Sequence, residues 1–89
     1  MIVDSAFERY ERLLKANMGA DAPDRLRPAD RLIDLGLGNS LLLVQLIVQI
    51  EEAFQIDLPD ELLTEDTFNS VDSLWLTLSE VLAEHGKLD

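Results

Sequence analysis

The sequence of 89 residues contains no cysteine, one histidine and, between residues 32 and 86, neither lysine nor arginine. Without cysteine there are no disulfides and no thiolate metal sites. The single histidine, His85 in a His85-Gly86-Lys87 stretch, leaves little material for acid–base catalysis. A triad could combine it with Ser40 and an acid, but no strand–turn–helix setting for a nucleophile elbow surrounds that serine. His85 reads better as a solvated residue facing the negative end of a helix dipole. No apolar run reaches the ~18 residues that a membrane span requires, and no basic-then-apolar leader opens the sequence. The expectation is a soluble, cytoplasmic monomer with no membrane span, formed by residues 1–89 as one small domain. A chain of this size buries roughly 60–65% of its unfolded surface, enough for one core and no deep cleft.

The missing bases matter most for partners. Residues 32–86 carry Asp34, Glu51, Glu52, Asp57, Asp60, Glu61, Glu65, Asp66, Asp72, Glu80 and Glu84 against no cation, and the whole chain has a net charge of −11. Phosphate recognition needs clustered lysine and arginine, so nucleic-acid binding is excluded. Such a charge keeps a small domain soluble, and it also projects a field that steers basic partner surfaces toward it. The acids themselves suggest no catalytic site. Glu51 and Glu52 are adjacent on a helix and diverge, which precludes a shared-proton pair. The five acids from Asp57 to Asp66 lack the ligand spacing of a calcium loop. Gly36 and Gly38 follow no strand, so they form no dinucleotide fingerprint.

The apolar pattern predicts four helical segments and no strand, an all-α four-helix bundle. Ser5 and Glu8 stand at capping-box spacing, and Phe7, Tyr10, Leu13 and Leu14 recur with helical period up to Gly19. A long connection over 18–39 follows, punctuated by Pro23 and Pro28, with Leu26, Leu32, Ile33, Leu35 and Leu37 as anchors to the core; Arg27 to Asp34 leaves room for one short turn. The second helix runs from Ser40 to about Phe54, with Leu43, Leu46, Ile47, Ile50 and Phe54 on its inner face. A short third helix starts at Asp60 after Pro59, its acids suited to a positive N-terminus. Ser70 or Asp72 opens the last helix, where Val71, Leu74, Leu78, Val81 and Leu82 form a buried stripe ended by Gly86. Trp75 falls at the edge of that stripe.

The most informative stretch is Gly36-Leu37-Gly38-Asn39-Ser40-Leu41, which leads into Leu42 to Phe54. A serine at such a junction reads first as an N-cap. The flanking glycines leave its hydroxyl uncrowded, however, and Leu41 to Val44 supply more apolar residues than one buried face can absorb. Leu41, Val44 and Val48 therefore fall on the outer side, beside Gln45, Glu51 and Glu52, as an exposed stripe able to dock a partner.

From Gly36 to Leu46, and again from Ile50 to Pro59, the sequence resembles the acyl carrier protein family; with the ending Leu62 to Val71, the likeness spans about residues 32–82. It looks most like the discrete carriers of D-alanine, other aminoacyl groups or polyketide extender units. The resemblance implies a non-catalytic carrier in a specialised biosynthetic pathway. Ser40 would bear a 4′-phosphopantetheine arm drawn from coenzyme A, with the cargo held as a thioester on the arm's thiol. The implied partners are a phosphopantetheinyl transferase, an acyl- or aminoacyl-activating enzyme and a downstream transferase or synthase. They would meet Asn39, Leu41, Val44, Gln45, Val48, Glu51, Glu52, Asp57, Asp60 and Glu61. Asn39 replaces the aspartate usual before the serine, which in the family helps a basic phosphopantetheinyl transferase recognise it; the alternative is that Asn39 is simply a cap or turn residue next to Gly38. Leu42 and Gln45 replace residues often acidic in fatty-acid carriers, which points to a dedicated partner. The rival reading is a carrier-like interaction module, never loaded, that docks through the same helix face.

Overall fold

The computed structural model describes residues 5–18 and 26–86. Its helices are α1 (Ala6–Met18), α2 (Ser40–Phe54) and α3 (Val71–Glu84), with a single 3-10 turn at Asp60–Leu62 between the last two. The expected third helix is thus reduced to that turn. Pro59 caps it with extended backbone and no side-chain hydrogen bond, and the Thr67 hydroxyl donates to the Leu62 carbonyl at 2.6 Å, tying the chain into a compact bend. Among the described residues the only β-type pairing is an isolated antiparallel bridge between Arg31 and Ser70.

Each helix starts where the sequence supplies an acceptor for its free amides. The Ser5 hydroxyl accepts the Glu8 amide at 3.1 Å before α1. Ser70, rather than Asp72, caps α3, and its hydroxyl and that of Ser73 take each other's backbone amides at 3.1 and 2.9 Å. Gly86, with φ of +67°, lies just past the C-terminal end of α3, a conformation that costs glycine no steric penalty. The expected end of α1 at Gly19 lies outside the described residues.

The core is built from one stripe of each helix. Tyr10 and Leu14 of α1, Leu46, Ile50 and Phe54 of α2, and Val71, Leu74, Leu78, Val81 and Leu82 of α3 are buried, as the apolar periodicity requires. Leu43 and Ile47 are partly buried and pack against this core. The guanidinium of Arg9 lies 4.5 Å over the Phe54 ring and donates to the Ala53 carbonyl, so one cation of α1 closes the negative end of α2. Trp75 is half-buried and meets Phe7 edge-on, with ring centroids 5.2 Å apart.

The connection before α2 is anchored by leucines and by backbone bonds. Of the five expected anchors, Leu26, Leu32 and Leu37 are buried and Leu35 is partly buried against the core, while Ile33 is exposed. The turn at residues 31–36 brings the Leu37 amide back to the Leu32 carbonyl at 2.9 Å, which buries both leucines and turns the residue after Leu32 outward. Three further bonds stitch this segment to the start of α3. Leu32 donates to Asn69 at 3.3 Å, Val71 to Asp30 at 2.9 Å and Asp72 to Pro28 at 3.0 Å.

The Tyr10 hydroxyl donates to the Val71 carbonyl at 2.7 Å and links α1 to the same start of α3. Burial first, and then the charge of Asp72, push this phenol well above its ordinary pKa. The neutral phenol is therefore the native form. Its contribution is complete below the unfolded pKa of about 10 and is lost as pH rises beyond that value. Tyr10→Phe should cost about 1 kcal/mol, the net worth of a typical hydrogen bond, as a lower urea midpoint at neutral pH, and the difference from the wild type should shrink at strongly alkaline pH.

Candidate functional site

The loop-to-helix junction at residues 36–41 is arranged differently from a plain serine cap. Asn39, in extended backbone, is the N-cap of α2, and its side-chain oxygen accepts the Leu41 amide at 2.8 Å. Ser40 is the first helical residue and is exposed. The expectation that Ser40 is itself the cap is corrected on this point. An amide side chain one residue earlier takes the role, so the serine hydroxyl is left out of the capping bond.

The first internal bond of α2 runs from the Leu43 amide to the Asn39 carbonyl at 3.0 Å. With the Leu41 amide held by Asn39, the amides of Ser40 and Leu42 have no acceptor among the described residues. An exposed hydroxyl beside two open amides at a helix N-terminus suits a phosphate ester on that hydroxyl, because the amides and the dipole both favour an anion.

Two glycines make the approach to Ser40 possible. Gly36 has φ of +82°, in the left-handed region that side chains disfavour. Gly38 is needed for space instead: a Cβ there would stand 2.8 Å from Ile33 Cγ1 and 3.2 Å from Ile33 Cα. Ile33 thus lies directly against the backbone two residues before the serine.

The other expected site residues lie on the outer face of α2 and in the segment that follows it, with Asp57 after the helix and Asp60 and Glu61 in the 3-10 turn. Leu41, Val44 and Val48 are 64%, 56% and 45% exposed, and Ile33 from the loop is 61% exposed. Gln45, Glu52, Asp57, Asp60 and Glu61 are exposed too. Glu51 differs from the other acids. It is half-buried, and its carboxylate accepts the Leu58 amide at 2.9 Å, holding the chain where it leaves α2 through Gln55 at φ of +55°. Its first role is therefore structural. Its only mark in the sequence is its place one turn before the end of α2.

Two grooves flank α2. One, of about 560 Å³, lies at its C-terminal end among Val48, Glu52, Ile56, Asp57 and His85. The exposed His85 donates from Nδ1 to the Val81 carbonyl at 2.9 Å, in keeping with a residue at a helix C-terminus. The other groove, of about 600 Å³, begins at Gly38 and Leu43 beside Ser40 and extends to Leu63, Glu65 and Phe68. Sequence reasoning missed this second groove, because its walls come from residues some thirty positions apart. No group of His, Cys, Asp and Glu among the described residues is arranged to hold a metal ion, and none of the described helices is long and apolar enough to cross a membrane.

The cap assignment predicts a contrast in stability. Asn39→Ala should destabilise the protein by about 0.5–2 kcal/mol, as loss of an N-cap does. Ser40→Ala should stay within about 0.5 kcal/mol of the wild type, as an exposed substitution does. Thermal or urea unfolding of the two variants measures both.

The family profile described as a phosphopantetheine attachment site matches residues 11–74. Two acyl carrier proteins, from Guillardia theta and Clostridium acetobutylicum, are each 36% identical over 55 residues, which is 62% of this chain and 67% and 70% of theirs. Among solved structures, the crystal structure of Bradyrhizobium japonicum glycine:[carrier protein] ligase complexed with glycylated carrier protein shows the same fold. The TM-score is 0.70 at 22% identity, covering 80% of this chain and 95% of that one. The chain belongs to the acyl carrier protein family, and as a member it is a carrier bearing a 4′-phosphopantetheine group and not an enzyme.

Proposed function

We propose that Ser40 is the attachment point of the 4′-phosphopantetheine arm, and that the protein holds an acyl or aminoacyl group on it for partner enzymes of a specialised biosynthetic pathway. The observation that carries this reading is the division of labour at the start of α2. Asn39 caps the helix, so the exposed Ser40 hydroxyl is available for esterification, with open amides beside it for the phosphate charge. When bound, the arm supplies the terminal thiol on which the cargo is held as a thioester. The chain contributes presentation, and it has no cysteine thiol to compete for the cargo. That the solved carrier of the same fold is glycylated and bound to its ligase supports an aminoacyl cargo and an activating ligase as one partner. We place the protein in the cytoplasm, where coenzyme A and a phosphopantetheinyl transferase would load it.

The decisive measurement is intact mass after incubation with coenzyme A and a broad-specificity phosphopantetheinyl transferase. Wild type should gain one phosphopantetheine and Ser40→Ala none. Gain of the arm by Ser40→Ala would show that another residue accepts it, and failure of the wild type to load would favour the interaction module that is never modified.

Partners are proposed to dock on the outer face of α2. Ile33, Leu41, Val44 and Val48 form its apolar part, and Glu52, Asp57, Asp60 and Glu61 its acidic rim, with Asn39 and Gln45 between them. Glu51 is better left unchanged in a test, because reversing it also breaks the Leu58 contact. Rim charges act chiefly on association rate and its salt dependence, whereas a central apolar side chain acts on dissociation. Glu52→Lys should slow loading most at low salt, and Leu41→Ala should weaken it at every salt concentration. Wild-type loading rates for both variants would move the docking face elsewhere.

A further inference from the structure

Residues 35–50 carry no charged side chain, although the whole chain has a net charge of −11. The first turn of α2 holds no acid, whereas α1 has Glu8 there and α3 has Asp72. A partner steered in by the acids therefore meets a neutral surface at the serine. What it reads there is hydrogen-bonding polarity, and Asn39 sets it. Asn39 is exposed and adjoins Ser40. Its Oδ1 accepts the Leu41 amide at 2.8 Å. Only the oxygen can face that N–H, so the cap fixes which end of the side-chain amide points inward. The Nδ2 group makes no hydrogen bond among the described residues, and it carries two N–H donors and no free lone pair. Residue 39 thus offers a partner donors without charge. Capping by itself does not account for this choice. Aspartate caps as well as asparagine, and the helix dipole favours its charge at an N-terminus.

We infer that Asn39 is a specificity-determining residue for attachment of the arm. It presents its Nδ2 donors to the phosphopantetheinyl transferase, so the chain favours an enzyme that offers a neutral oxygen acceptor at that point and disfavours one that offers a cation. The inference rests on Ser40 as the attachment point and adds the chemistry of the enzyme that loads it. A cation facing Nδ2 sets donor against donor, with no lone pair to take its protons. A carboxylate would accept from Nδ2, but the field of the surrounding acids opposes its approach. A carbonyl oxygen, from backbone or an amide side chain, meets neither obstacle.

The test compares wild type, Asn39→Ser and Asn39→Asp as substrates of two transferases, one of the basic fatty-acid type and one of broad specificity. Intact mass reports loading, and kcat/KM is measured across a salt series. Both replacements keep an oxygen for the cap. Serine exchanges the two fixed donors for a hydroxyl able to accept, and aspartate adds a negative charge as well. Failure of the wild type to gain the arm from either enzyme would defeat the Ser40 assignment and this inference with it. Given loading, the fatty-acid-type enzyme should load Asn39→Ser roughly 2- to 12-fold faster than wild type, the net worth of one hydrogen bond expressed as a rate. Asn39→Asp should be faster still at low salt, with the excess fading as salt screens the charge. The broad-specificity enzyme should load neither variant faster than wild type. In the wild type, the Asn39 side-chain amide protons should exchange with water as those of a free amide do, while the Leu41 amide is slowed. Equal rates for Asn39→Ser and wild type with the fatty-acid-type enzyme would leave charge alone as the determinant and overturn the inference. So would a gain with both enzymes, the mark of an effect on the cap or the serine, or slow exchange of the Asn39 side-chain amide.

Discussion

The stitching of the connection before α2 to the start of α3 is the constraint on which the site depends. Ordering a loop costs on the order of 1–2 kcal/mol per residue in backbone entropy, so a long connection keeps one shape only if many contacts fix it. Here Leu32 and Leu37 are buried in the core, and the amides of Leu32, Val71 and Asp72 bond across the gap between the two segments. Tyr10 reaches the Val71 carbonyl from α1. All three helices therefore bear on the point from which Gly36 to Ser40 is suspended.

That suspension explains why the site can be simple. A carrier performs no chemistry of its own, so it needs neither a shifted titratable group nor a charge relay. It needs a hydroxyl held in one place, exposed, with electrostatics that tolerate a phosphate. Asn39 supplies the cap, Gly38 lets Ile33 approach, and the amides of Ser40 and Leu42 have no acceptor among the described residues. Among the described residues the one buried ionisable side chain is Tyr10, whose role is structural.

The surface beyond Ser40 divides by physical type. The outer face of α2 is apolar near the serine and acidic farther along, and in the proposed docking the field would act at long range and the leucine and valines on contact. A separate groove is lined by Ile33, Gly38 and Leu43 together with Leu63 and Phe68. Glu51 shows that membership in an acidic stretch does not settle a residue's function, since its carboxylate holds a backbone amide while Glu52 beside it faces solvent.

The sequence alone determined which residues face inward on the helices, because helical periodicity leaves one stripe for the core: every residue of the expected α3 stripe is buried. It also determined the family, through the loop, the serine and the apolar run after it. The short third helix was legible only as a place for a turn, since three residues after Pro59 form one 3-10 turn and stop. Tertiary structure decided the rest. Asn39 and not Ser40 caps α2 because the backbone becomes helical at residue 40, a boundary that composition does not fix to one residue. Ile33 is outside and Leu32 inside because a turn closed by Leu37 reverses the chain there. The groove exists only because folding sets the loop at Gly38 beside a bend some thirty residues away, and no local pattern in the sequence encodes that meeting.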